Sequence, residues 1–299
     1  MSPFQRVAII LLLLMCNPAL WAQSHREATT VLLWPNGAPG ALGTAVEDQP
    51  HLTIFLPTDG TGDKTRTAIL ILPGGGYSGL SINQEGLPAS QWLTRHGISA
   101  FMLSYRTGPR YHYPIERFDA SRAMRWIRSH AAEYGIDPHR IGVWGFSAGG
   151  HLASILSTRF DSGTPIASDA VDRVNDRPDF MILAYPVIDP LGKAAKGSFD
   201  NLLGGNPGPD IVKQLMTDKL VTTKSPPAFL VHGSDDQWVS PENSINFYLA
   251  LRRAGVPCEL HIYEHGPHGF GLAQSDPTLS TWLDLLTKWL DARGLLNTP

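Results

Sequence analysis

Seven short apolar runs, separated by segments with a helical beat, constrain this chain more than any other feature. They are HLTIFLP from His51, AILILP from Ala68, ISAFMLSY from Ile98, RIGVWG from Arg140, FMILAYP from Phe180, AFLVHG from Ala228 and ELHIYE from Glu259. Most are continuously apolar and do not alternate, which is how strands buried on both faces read, and parallel sheets bury strands that way. Between them, Ala120, Ala123, Met124, Ile127 and Ala131 form one 3.6-period stripe, and Leu279, Trp282, Leu283, Leu286 and Leu290 form another. Trp92 and Leu93 lie in a third, which Gly97 ends. Strand and helix in alternation imply an α/β fold, a mostly parallel central sheet with helices on both faces. Ligands of such sheets bind beyond the carboxyl ends of the strands, so the residues just after each run matter most.

The chain has 299 residues, enough for one sizeable domain with a core of its own. Its net charge of −3 offers no basic excess for a nucleic acid or an anionic membrane. The start differs from the rest: Arg6, the apolar run VAIILLLLMC, then NPALWAQ with small and helix-breaking residues. That is the layout of a secretory signal over residues 1–22. The run is short of the roughly 20 residues that span a bilayer, so no stable membrane association is expected once it is removed. The expected location is secreted or periplasmic, with one folded domain over 23–299. Removal takes Cys16 with it and leaves Cys258, which rules out an internal disulfide. One stretch, 191–225, is rich in Gly, Pro and Lys, with a helical piece only around Ile211 to Leu220. It reads as an insertion over the strand ends, either a small lid or an ordinary surface excursion.

Within VWGFSAGGHLAS, Ser147 follows one of the apolar runs directly and opens a helical segment, with Gly145 and Gly149 on either side. Strand, sharp turn and helix are the context a nucleophile elbow requires. A serine hydroxyl needs a base, and the base needs an orienting acid. With the serine on an elbow, the chain order is Ser, then Asp or Glu, then His. The loop after AFLVHG offers Asp235 and Asp236, and the loop after ELHIYE offers His265 and His268. A metal held by His265 and His268 lacks a third ligand. PGGGY supplies the remaining part: Gly74, Gly75 and Gly76 follow a strand that ends at Pro73, and glycine lets backbone N–H groups approach a developing oxyanion. The expected donors are the N–H groups of Gly75, Gly76 and Ala148. A phosphate-binding loop is the rival reading, but neither a Lys-Ser/Thr pair nor a G-x-G-x-x-G spacing is present.

These motifs resemble the α/β-hydrolase fold, and more narrowly a secreted carbohydrate-esterase branch. PGGGY, Glu85-Gly86, SYR at Ser104 to Arg106, the long run RAMRWIRSHAAEYGIDPHRIGVWGFSAGGHLAS, the closing HGFG and LWPNGAPGA from Leu33 are similar to acetyl xylan esterases and bifunctional feruloyl and acetyl xylan esterases. The oxyanion loop departs from that of many esterases, with Pro73 where a His often stands. HGSDDQWV resembles the acid loop of such hydrolases and PHGF their usual ending, which assigns Asp236 as the acid and His268 as the base, with Ser147 as nucleophile. The resemblance implies removal of O-acetyl groups from plant polysaccharides such as xylan, with no metal and no cofactor. The substrate is then an acylated carbohydrate or a small ester. The competing readings are a general carboxylesterase or feruloyl esterase, an amide hydrolase, and a binding protein on an inactive scaffold. Tyr77, Trp238 and Tyr185 are expected to line the substrate site, since aromatic faces suit sugar rings. His151 reads as a helix-packing residue, Arg106 and Asp119 as structural, and Glu85 is unassigned.

Overall fold

The structure, a computed structural model, describes residues 29–57, 65–190, 196–205 and 207–296. The expected signal at 1–22 and the first part of the expected insertion, 191–195, lie outside the described residues. Eight strands form one sheet: β1 Thr29–Leu32, β2 His51–Phe55, β3 Ala68–Leu72, β4 Ser99–Ser104, β5 Ile141–Phe146, β6 Met181–Ala184, β7 Ala228–Gly233 and β8 Cys258–Tyr263. Their spatial order is β1-β2-β4-β3-β5-β6-β7-β8. From β4 to β8 every pairing is parallel, whereas β1 with β2 and β2 with β4 are antiparallel. All seven apolar runs are strands. The first is antiparallel, and β1 is an eighth strand that the sequence reading did not include. β1 is at an edge, its two threonines are exposed, and only Val31 and Leu32 of it are apolar.

Alternate residues of the central strands feed two separate cores, as the two-residue period of a strand requires. Leu70, Leu72 and Val143 pack with the helices α2 Ile115–Ser129, α3 Ser147–Thr158 and α6 Glu242–Arg253. Ile69, Ile71 and Trp144 pack on the opposite face with α1 Leu87–Arg95 and α7 Trp282–Asp291. The stretch after β6 holds two helices where one was expected, α4 Lys196–Leu203 and α5 Pro209–Leu215. α4 escapes a periodicity reading because only Phe199 and Leu202 anchor it.

The strand order locates the crevice. β3 leads through α1 to β4 on one side, and its neighbour β5 leads through α3 to β6 on the other. Loops that leave two adjacent strands in opposite directions open a gap at their carboxyl ends. Pro73 and Ser147 are the residues at that gap. Beside it, Arg106, two residues past β4, is held by Asp119 of α2, with its Nη2 2.6 Å from Asp119 Oδ1 and both side chains buried. Arg106 and Asp119 are structural, tying loop 105–114 to α2.

Glu116, in the first turn of α2, is fully buried, and among the described residues neither of its carboxyl oxygens has a hydrogen-bond partner. Burial first, with Asp119 nearby adding to it, pushes its carboxyl up to about 8 from an ordinary 4.5. The folded protein therefore keeps a proton that the unfolded chain releases above about 4.5. Stability from this group is full below that pH and falls as pH rises towards about 8, by roughly 1.4 kcal/mol per pH unit. Glu116→Gln, uncharged at every pH, is expected to gain in melting temperature on the wild type between pH 5 and 8.5. Parallel melting curves across that range would contradict the assignment.

Candidate active site

Every residue of β5 is buried, and the strand ends on Phe146 immediately before Ser147 begins α3. Ser147 has φ of +50°, a conformation uncommon for a residue with a Cβ and worth about 1–3 kcal/mol of strain. The glycines around it have no room for side chains. A Cβ on Gly145 would strike the Gly149 carbonyl, and a Cβ on Gly149 would strike the carbonyls of Leu72 and Pro73. The turn is held from beyond, where Val187 N–H donates to the Ser147 carbonyl at 3.1 Å.

Ser147 Oγ lies 2.8 Å from His268 Nε2, and His268 Nδ1 lies 2.7 Å from Asp236 Oδ2. The other oxygen of Asp236 accepts the N–H groups of Trp238 at 2.8 Å and Val239 at 2.9 Å. His232, fully buried, stands 3.3 Å from Asp236 Oδ2. Burial pushes the Asp236 carboxyl up, but His232, His268 and the Val239 N–H together outweigh it and hold it well below the usual carboxylate range. An ionised Asp236 keeps the imidazole proton on Nδ1 and leaves the Nε2 lone pair facing the serine hydroxyl. The structure gives the neighbouring candidates a different task. Asp235 accepts from Gly266 N–H at 2.7 Å and pairs with the exposed His265 at 3.2 Å, which ties the two loops together outside the catalytic line.

The glycine loop lies against the elbow: a Cβ added to Gly74 would sit 3.0 Å from Ser147 Cβ. Gly75 and Gly76 have φ of +122° and +61°. Each carbonyl of the loop is taken up on one side. Gly74 O accepts from Ser81 N–H at 2.9 Å, Gly75 O from Ser78 N–H at 3.1 Å, and Gly76 O from the Asn201 amide at 2.9 Å. In a trans peptide the carbonyl and the following N–H point oppositely, so these bonds orient the N–H groups of Gly75, Gly76 and Tyr77. Among the described residues, the N–H groups of Gly75 and Gly76 meet no protein acceptor. The Ala148 N–H belongs to the first turn of α3, where no intrahelical carbonyl is available. Nucleophile, base and unpaired donors at one strand crossing are the parts of an acyl-transfer site.

The aromatic expectations need correction. Tyr77 and Tyr185 are fully buried and offer no face to a substrate. Both have positive φ, 58° and 38°, and inside the protein each hydroxyl finds a partner. Tyr77 donates to His151 Nδ1 at 2.9 Å, while His151 Nε2 donates to the Leu215 carbonyl at 3.0 Å. Burial pushes His151 down to about 4, so it stays neutral and links α3 to α5. Tyr185 donates to Glu85 Oε1 at 3.0 Å and accepts Gly271 N–H at 3.0 Å. Trp238, two residues past Asp236, is 70 % exposed. The sequence reading did not find His232, Gln84 or Asn201. Asn201 brings α4 onto the glycine loop, and Ser198 of the same helix lies 3.5 Å from the place a Cβ on Gly76 would take.

Residues 52–251 match the BD-FAE family model. The chain belongs to the BD-FAE family. An acetylxylan esterase of Xylanibacter ruminicola is 36 % identical to this BD-FAE protein over 83 % of its length and 49 % of that enzyme. An endo-1,4-beta-xylanase B of Butyrivibrio fibrisolvens is 35 % identical over 78 % of the chain and 36 % of that protein. The chain thus spans less than half the length of either relative. Among solved structures, an acetyl ester-xyloside bifunctional hydrolase of Caldicellulosiruptor lactoaceticus superposes with a TM-score of 0.84 at 42 % identity, covering 91 % of this chain and 98 % of that one. Together with the sheet, this makes the fold an α/β-hydrolase.

The two aspartates separate by mutation. Asp236→Asn is expected to lower kcat for p-nitrophenyl acetate by about 10⁴-fold, since it removes the charge that fixes the imidazole tautomer. Asp235→Asn is expected to stay within about tenfold of wild type, because the bond it loses only braces a loop. Steady-state rates on the two purified variants check this, and equal losses would contradict the assignment.

Proposed function

We propose that the protein is a serine esterase that removes O-acetyl groups from plant polysaccharides such as xylan. The observation that carries the chemistry is the unbroken line from Ser147 through His268 to Asp236, beside unpaired glycine N–H groups. The likeness to an acetyl ester-xyloside hydrolase over 98 % of that chain supports the acetyl-carbohydrate substrate.

Ser147 Oγ attacks the ester carbonyl as His268 Nε2 takes its proton. The carbonyl oxygen gains the charge and receives hydrogen bonds from Gly75, Gly76 and Ala148. His268 returns the proton to the departing sugar oxygen, leaving acetyl on Ser147. A water then attacks that acyl group with His268 again as base, and acetate leaves as Ser147 recovers its proton. Asp236 stays ionised throughout and stabilises the imidazolium. Trp238 supplies an exposed apolar face beside this line, suited to a sugar ring. The insertion acts as a wall over the oxyanion side, through Ser198 and Asn201 of α4. With residues 1–22 read as an export signal, the enzyme works in the periplasm or outside the cell.

The test compares acetylated xylan with p-nitrophenyl esters of increasing chain length. Acetate release from xylan, with rates falling beyond acetyl, is the expected result. Fast cleavage of butyrate or longer esters with little acetate from xylan would favour a general carboxylesterase. Trp238→Ala is expected to raise KM for acetylated xylan about tenfold, equivalent to about 1.4 kcal/mol, and to leave p-nitrophenyl acetate kinetics unchanged.

A further inference from the structure

We propose that Glu85 is a positioning residue that sets the oxyanion donors and the catalytic histidine together. The inference rests on the serine-esterase reading of the site. Glu85 is 3 % exposed and its two carboxyl oxygens serve different arms of the site. Oε2 accepts Gly74 N–H at 2.6 Å, at the root of the glycine loop. The carbonyl on the other side of that same peptide, Pro73 O, accepts the Tyr105 hydroxyl at 2.6 Å. The Pro73–Gly74 peptide is therefore fixed from both sides, and it sets the direction in which Gly75 and Gly76 leave. Oε1 accepts the Tyr185 hydroxyl at 3.0 Å, and that hydroxyl in turn accepts Gly271 N–H at 3.0 Å. Gly271 stands three residues past His268. The neighbour Gln84 completes the hold by donating to the Gly269 carbonyl at 2.7 Å.

The backbone that delivers Glu85 is itself unusual. Ile82–Gly86 forms a single π-helical turn, and the N–H groups of both Glu85 and Gly86 reach the Ser81 carbonyl, at 3.0 and 3.4 Å. Such wide turns are rare and concentrate at functional sites. Gly86 sits against the Met102 sulfur with no room for a side chain, which seats the turn firmly. That explains the Glu85-Gly86 pair that the sequence singles out without a role. Burial pushes the Glu85 carboxyl up, opposed by Gly74, Tyr185 and His268. A buried acid is costly to keep for packing alone. Here both its partners donate to it, so an acceptor-only carboxylate is the group that satisfies the geometry.

Glu85→Gln keeps the shape but turns one arm from acceptor to donor, so one arm must open. On p-nitrophenyl acetate, kcat is expected to fall about 100-fold, the scale of losing one oxyanion donor. KM should stay within about threefold and the melting temperature within a few degrees. A trifluoromethyl ketone, which binds as the tetrahedral adduct, should weaken in step with kcat/KM, a loss that a purely structural role would not produce. Tyr185→Phe cuts the histidine arm alone and should cost about tenfold in kcat. The double variant should lose less than the product of the two single losses, since residues acting as one unit are not additive. Tyr185→Phe keeps the inference testable if Glu85→Gln does not fold, and an unchanged kcat there would overturn it. Wild-type kcat in folded Glu85→Gln, or independent additive losses, would overturn it as well. Ser147→Ala separates the two failures. An inactive Ser147→Ala beside an unimpaired Glu85→Gln sinks the Glu85 role alone, whereas an active Ser147→Ala sinks the esterase reading and this inference with it.

Discussion

Ser147 holds a left-handed backbone conformation because three segments meet there with no space between them. The helix α3 turns back over β5 so closely that Gly145 faces Gly149, and Gly149 faces the carbonyls at the end of β3. The sheet order makes this contact possible, since β3 and β5 are neighbours whose following loops part. The same closeness brings the glycine loop to the serine. The approach of Ser147 to the glycine loop is a consequence of one packing constraint: a side chain at Gly145, Gly149 or Gly74 would push the two apart.

Around that contact the site is arranged so that charge is settled before substrate arrives. Asp236 has its ionised form fixed by His232 and by backbone donors of its own loop, which leaves His268 with one defined tautomer. Asp235 holds Gly266 and Gln84 holds Gly269, on either side of His268 in the sequence. Glu85 joins the oxyanion side to the histidine side through Tyr185. Rigid donors in a low-dielectric site cost no reorganisation as the oxyanion forms, and these cross-links supply the rigidity.

The parallel strands were legible because burial on both faces leaves a continuous apolar run, and the elbow was legible because its steric demand is written as glycine. β1 was not, since an edge strand with two exposed threonines carries no such run. Choosing Asp236 over Asp235 and His268 over His265 needed likeness to other hydrolases; nothing in the spacing alone decides between adjacent aspartates. Tyr77 and Tyr185 were misplaced for a physical reason. Both follow strand ends, as site-lining residues do, but the buried partners of their hydroxyls, His151 and Glu85, lie 74 and 100 residues away and leave no trace in the local sequence. Glu85 stayed unassigned because its partners lie 11 and 100 residues away, in Gly74 and Tyr185, and only the folded chain brings them together.

The most direct measurement is covalent labelling with a fluorophosphonate, followed by intact mass, peptide mapping and acetate release from acetylated xylan on the same samples. The expected result is one adduct per chain, on Ser147, with acetate release lost in proportion to labelling. An adduct on another residue, or acetate release that persists when Ser147 is fully labelled, would contradict the account.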